Sequence, residues 1–143
     1  MTALTSDRNT PQAIGDNKVG KAAAAVQIFA GAIVMRTATG YLTKGQTALN
    51  LVAVGRAHVH VDNRLGADGS LDVLYDPGTF RFANSAGADE VTMADIGQMA
   101  FVVDDQTVAK TDGTGTRSRA GFIENVDAQG VWVRFDEALT NAG

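Results

Sequence analysis

The sequence predicts an all-β fold, a small β-barrel or β-sandwich with short helical turns and an extended N-terminal arm. Three observations predict it. Short apolar runs recur at roughly ten-residue spacing, the interval of strands in sandwiches and barrels. Sixteen glycines against two prolines, Pro11 and Pro77, fall between those runs and supply tight turns. Strands do not alternate with long helical patterns, so a doubly wound α/β domain is not expected. A chain of 143 residues suits one domain with its own core. The expected organisation is a flexible arm over residues 1–20, a β domain over 21–137 and a short polar tail over 138–143.

Residues 1–20 are small and polar, without apolar periodicity, so alone they cannot offset the entropy of ordering. From Lys21 to Arg36, four alanines favour helix while Val26, Ile28, Ile33 and Val34 favour strand. A strand over Val26 to Thr37 is expected, then a turn through Gly40 and a returning strand at Tyr41 to Thr43. Leu49 to Asn63 reads as the longest strand. Its apolar phase changes at Gly55, which predicts a bulge or bend there.

Ser70 to Tyr75 and Thr79 to Ala83 flank Asp76-Pro77-Gly78, and the three together predict a hairpin. Thr92 is placed to cap one helical turn ending at Gly97. Met99-Phe101-Val103 opens the next strand, and residues 111–116 are a loop. Gly121 to Val126 and Val131 to Phe135 pair across Asp127-Ala-Gln-Gly130.

The net charge of −4 and the scattered Lys and Arg argue against nucleic acid as a partner. No cysteine is present, so disulfides and thiolate metal sites are excluded. The apolar run from Ala22 to Met35 is interrupted by Gln27 and Gly31. It starts late for a signal peptide and is short for a membrane span, so neither is expected.

Candidate chemistry is sparse. His58, His60 and Asp62 share one strand face, but same-face neighbours lie almost 7 Å apart along a strand, too far to meet one metal ion readily. Asp104 and Asp105 are adjacent and point to opposite faces, and no nucleophile–histidine–acid set accompanies them. The loop Gly113-Thr-Gly-Thr-Arg-Ser118 lacks the Gly-Lys-Ser/Thr ending of a phosphate loop. Trp132 faces away from Val131 and Val133, together with Arg134, and so calls for a second covering surface.

A set of motifs spans residues 18–135: Gly55-Arg-Ala57, Val61-Asp-Asn63, Phe80-Arg-Phe-Ala-Asn-Ser85, Ala94-Asp-Ile-Gly97, Val102-Val-Asp-Asp-Gln-Thr-Val-Ala-Lys110, Gly115-Thr-Arg-Ser118, Ala120-Gly121 and Val131-Trp-Val133. Together they resemble small structural proteins of tailed bacteriophages, and point to the head decoration, or cement, proteins. The run from Asp104 to Lys110 is the most specific part.

The resemblance implies a non-enzymatic virion protein, made in the host bacterial cytoplasm and bound outside an expanded capsid. Its partner would be the phage major capsid protein and its own form a homotrimer, with no cofactor, metal, nucleic acid or membrane. A flexible N-terminal arm would add a strand to a capsid edge. Arg8, Lys18, Lys21, Trp132, Arg134 and Phe135 are the expected interface residues. Two other readings stand beside it: a virion or tail module that contacts a host glycan, and a small β-fold hydrolase using Asp104 or Asp105.

Overall fold

The computed structural model describes residue 3, residues 5–8 and residues 17–143. Among these, the strands in chain order are β1 (Lys18–Lys21), β2 (Val26–Ile28), β3 (Ile33–Arg36), β4 (Leu42–Lys44), β5 (Val52–Ala57), β6 (Val61–Asn63), β7 (Asp72–Asp76), β8 (Gly78–Phe82), β9 (Met99–Val102), β10 (Val108–Ala109), β11 (Arg119–Asp127) and β12 (Gly130–Phe135). Two 3₁₀ turns, Gly87–Asp89 and Met93–Asp95, precede β9, and helix α1 (Glu137–Ala142) ends the chain.

The fold is all-β. One sheet runs in the order β1-β7-β5-β11-β12-β8, with β3–β4 attached to β5 and β9–β10 attached to β11. β2 and β6 form a separate two-stranded ribbon. The sheets do not close into a barrel.

Two apolar clusters fill the interior. One gathers Ile33, Met35, Ala53, Ile123, Val133 and Phe135 among others; the second includes Ile28, Val34, Leu42, Val54, Val73 and Tyr75. β3 sends Ile33 and Met35 into the first and Val34 into the second, so this strand is buried on both faces. That explains why Ile33-Val34-Met35 shows no polar alternation. β5 shares the role. Val34 faces Gly55 and Met35 faces Ala53, which leaves Val54 as an extra residue in a bulge. The bulge reverses the phase, so Ala53 enters the first cluster and Ala57 the second. The phase change at Gly55 is therefore where the sequence indicates it.

Several expected elements differ. The strand expected over Val26 to Thr37 is two strands, β2 and β3, broken by a turn in which Gly31 takes φ +86° and the Ala32 N–H donates to the Phe29 carbonyl at 3.1 Å. The strand expected over Leu49 to Asn63 likewise divides into β5 and β6, because residues 61–63 leave the large sheet to pair with β2.

β7 and β8 are not a hairpin. They lie apart in the strand order, with β5, β11 and β12 between them. The Pro77 corner redirects the chain, because Val73 and Tyr75 belong to the second cluster and Phe82 to the first. A proline–glycine turn reports a change of direction, whereas the strand's partner is set by which core its apolar face enters.

The polar tail expected over 138–143 is mostly α1. The Asp136 carboxylate caps it by accepting the Leu139 N–H at 3.0 Å, and within it Thr140 is fully buried. At the other end, Lys18–Gly20, expected in the arm, lie in β1 and pair with β7. Residues 1, 2, 4 and 9–16 of that arm lie outside the described residues. The capped turn after Thr92 and the hairpin joining β11 to β12 form as expected. The Asp95 carboxylate accepts from both the backbone N–H (2.8 Å) and the hydroxyl (3.1 Å) of Thr92.

Candidate functional site

The hairpin of β11 and β12 positions the surface that carries Trp132. Val131, Val133 and Phe135 enter the first core, so by alternation Trp132 and Arg134 stand on the outer face. Opposite them across the ladder are Arg81 and Thr79 of β8. On the β11 side, Asn125 faces Trp132 and Phe122 faces Arg134.

Asp127, at the start of the turn, organises this face. Its Oδ1 accepts the backbone N–H groups of Gln129 (2.8 Å) and Gly130 (3.0 Å), which fixes the turn. Its Oδ2 accepts the Trp132 indole N–H at 2.9 Å, which fixes the ring. The indole hydrogen bond, the turn N–H groups and the nearby Arg81 charge together hold the Asp127 carboxyl below the usual aspartate range. The Arg81 guanidinium lies 5.6 Å from the Trp132 ring centroid, a cation–π distance. A half-buried tryptophan is thus braced between an arginine and a carboxylate on an open sheet face, with Arg134 two residues along the same strand.

The other expected interface residues are placed elsewhere. Phe135 is 1% exposed and packs edge-on against Phe82 at 5.6 Å, so its side chain is core and cannot meet another chain. Lys18 and Lys21 lie on β1, at the opposite end of the strand order from β8. Lys18 is exposed, and Lys21 is paired with Asp72 at 2.5 Å. Arg8 is exposed. The structure therefore brings Trp132 and Arg134 together on β12 and leaves Lys18 and Lys21 at the other end of the strand order.

His58, His60 and Asp62 are engaged by three different neighbours. His58 Nδ1 is 3.1 Å from Asp76 Oδ2, and His60 Nε2 is 2.9 Å from the Gln27 amide nitrogen. Asp62 accepts two bonds from the Arg64 guanidinium, which hold its carboxyl down at about 2. Among the described residues, no three His, Cys, Asp or Glu side chains are grouped to hold a metal ion.

Asp104 and Asp105 lie in the turn between β9 and β10, not within a strand. Asp104 Oδ1 accepts the Gln106 N–H at 2.9 Å and closes a turn. The loop after Asp112 is a left-handed turn, with Gly113, Thr114 and Gly115 all at positive φ and the Thr116 N–H returning to the Asp112 carbonyl. Arg117 secures it to Asp89 at 3.3 Å.

Sequence reasoning missed Arg81 and Asp127 as parts of the Trp132 face. Asp127 reads as a turn residue, and nothing local indicates that its second oxygen holds an indole. The partnership of Arg81 depends on β8 pairing with β12, which the expected β7–β8 hairpin obscured. Comparison with known proteins finds no matching family model, no matching curated protein and no matching solved structure.

Proposed function

We propose that the chain is a structural, non-enzymatic binding module that cements a tailed-phage capsid, acting as a trimer on the outside of the major-capsid lattice. The Trp132 face carries this reading. A tryptophan braced by Arg81 and Asp127, with Arg134 further along the same open strand face, has the composition of the energetically dominant centre of protein interfaces, where Trp and Arg are enriched. Its ring is held before any partner arrives, so little side-chain entropy remains to be lost on binding. The resemblance over residues 18–135 supplies the partner, and the all-β architecture is compatible with it.

In this reading β1 contributes a second contact. It ends the strand order of the large sheet, and residues N-terminal to it could continue along a capsid strand. Each bound copy would stabilise the assembled shell by mass action, because it binds the lattice and not free subunits. Several contacts per trimer would raise the effective affinity further.

The test is co-sedimentation of the purified protein with expanded heads of its source phage. The reading requires saturation at a stoichiometry fixed by the icosahedral lattice, with heads that then survive more heat. Absence of binding to both mature and expanded heads rejects it.

A further inference from the structure

We infer that the depression between the β2–β3 turn and the Asp104–Gln106 turn is a binding site for a neutral saccharide, separate from the Trp132 face. Its walls are Phe29 to Ala32 on one side and Asp105 with Gln106 on the other. Its volume is about 370 Å³, inside the range of small-ligand sites.

The aromatic wall is preorganised. Phe29 is 55% exposed, yet its ring stacks on His60 with centroids 5.5 Å apart and planes at 25°. His60 is itself held by Gln27 through its Nε2. The turn that carries Phe29 is tied down by the Gly31 N–H to the Ala57 carbonyl at 2.9 Å. A phenylalanine more than half exposed on so firm a support loses little freedom when a flat apolar surface covers it.

The polar wall is fixed to the first. The Ile33 N–H donates to the Asp105 carbonyl at 2.9 Å, which joins the two turns directly. Asp104 closes its turn on the Gln106 N–H, leaving Asp105 and Gln106 at the rim. Among the described residues, neither the Asp105 carboxylate nor the Gln106 carboxamide has a hydrogen-bond partner. The depression is thus bordered by residues that carry an acceptor-only group, a group that both donates and accepts, and an exposed aromatic ring.

That combination selects the ligand class. No Lys or Arg lines the depression, and the Asp105 carboxylate repels anions, so phosphates and acidic sugars are disfavoured. A pyranose has an apolar C–H face to lay on Phe29 and hydroxyls for the carboxylate and the carboxamide. Saccharides also match the openness of the site, because a chain of sugars can run past it without being enclosed.

The experiment uses the full chain, labelled with ¹⁵N and titrated with a panel of neutral oligosaccharides (maltotriose, chitotriose, mannotriose and β-galactobiose). Adenosine and cytidine serve as flat, stacking controls. The expected result is that at least one oligosaccharide shifts the amides of residues 29–32 and 105–106 together. Phe29→Ala and Asp105→Asn should then each weaken that titration by about tenfold or more, the loss of one good contact. Phe29 is exposed and Asp105 half-buried, and an unchanged melting temperature confirms that the variants fold. The inference is overturned if no oligosaccharide perturbs these amides, if the shifts persist in Phe29→Ala, or if only the nucleosides bind.

Discussion

The Arg36 guanidinium on β3 grips the Glu137 carboxylate on α1 in a fork, with Nε to Oε2 at 2.7 Å and Nη2 to Oε1 at 3.2 Å. The same guanidinium donates to the Gly40 carbonyl and the Tyr75 hydroxyl, so one side chain joins the terminal helix, the β3–β4 turn and β7. Both partners are about two-thirds buried, and the hydrogen bonds to Glu137 push the Arg36 pKa above its ordinary value. Glu137→Ala is expected to cost about 1–2 kcal/mol in urea unfolding, in the range for charge-assisted bonds. Hydrogen exchange should locate the loss, with the amides of α1 losing protection before those of β11.

Asp76 gives the domain a sensitivity to acid. Its side chain is 7% exposed, and burial alone would raise its pKa. Hydrogen bonds from Arg56 and His58, with their charges, outweigh burial, and the net shift is downward. A carboxyl depressed in the folded state contributes stability above its unfolded pKa, near 3.9, and loses it as pH falls through the folded value. Asp76→Asn should therefore lower the melting temperature at pH 6 and flatten its fall below about pH 4, close to that unfolded pKa. Parallel melting curves for the two proteins across that range would refute the assignment.

Trp132 is the sole tryptophan, so its fluorescence reports its own bond to Asp127. Asp127 is held below the usual aspartate range, so the emission should titrate with a midpoint under that of an ordinary aspartate. Asp127→Asn should abolish the titration. A midpoint at or above the ordinary value would contradict the geometry.

Trp132→Ala separates binding from folding. The ring is half-buried on the outer face, so its loss should leave the melting temperature within a few degrees. If the chain cements heads as proposed, its attachment to them should weaken by about a hundredfold, the scale of an interface anchor. Attachment that stays within about threefold of wild type would remove Trp132 from the contact, that change being smaller than a single good contact provides.

Gly55 has no room for a side chain. A Cβ there would lie 2.2 Å from the Asp76 carbonyl oxygen, and β7 is held close by the Arg56–Asp76 pairing. Gly55→Ala is expected to destabilise by roughly 2–3 kcal/mol, as overpacking does. Chemical denaturation should show a lower midpoint with an unchanged slope.

The all-β class, the bulge at Gly55, the capped turn at Thr92 and the β11–β12 hairpin were legible because each rests on residues close in sequence. Thr92 and Asp95 are three apart, and Asp127 and Gly130 close their own turn. The fate of Asp76-Pro77-Gly78 was not legible, because local chemistry indicates a bend without saying which core the next strand enters. The brace around Trp132 was half legible. The outward tryptophan followed from alternation, but Arg81 reaches it only through the pairing of β8 with β12. Phe135 illustrates the opposite error: an aromatic at a strand end reads equally as rim or core, and here Phe82 and Phe80 decide for core. The depression beside Phe29 was hidden inside an expected continuous strand, whose break at Gly31 creates it.

The paired strands β3 and β5 contribute side chains to both apolar clusters. A partition shared by two apolar layers cannot be released from one without wetting the other. Neither layer has a private melting point, and the domain should open in a single step, with the longest-lived amide protons in the middle of Ile33–Arg36 and Val52–Ala57. Mechanically, force applied at either face should pass into the same pair of strands.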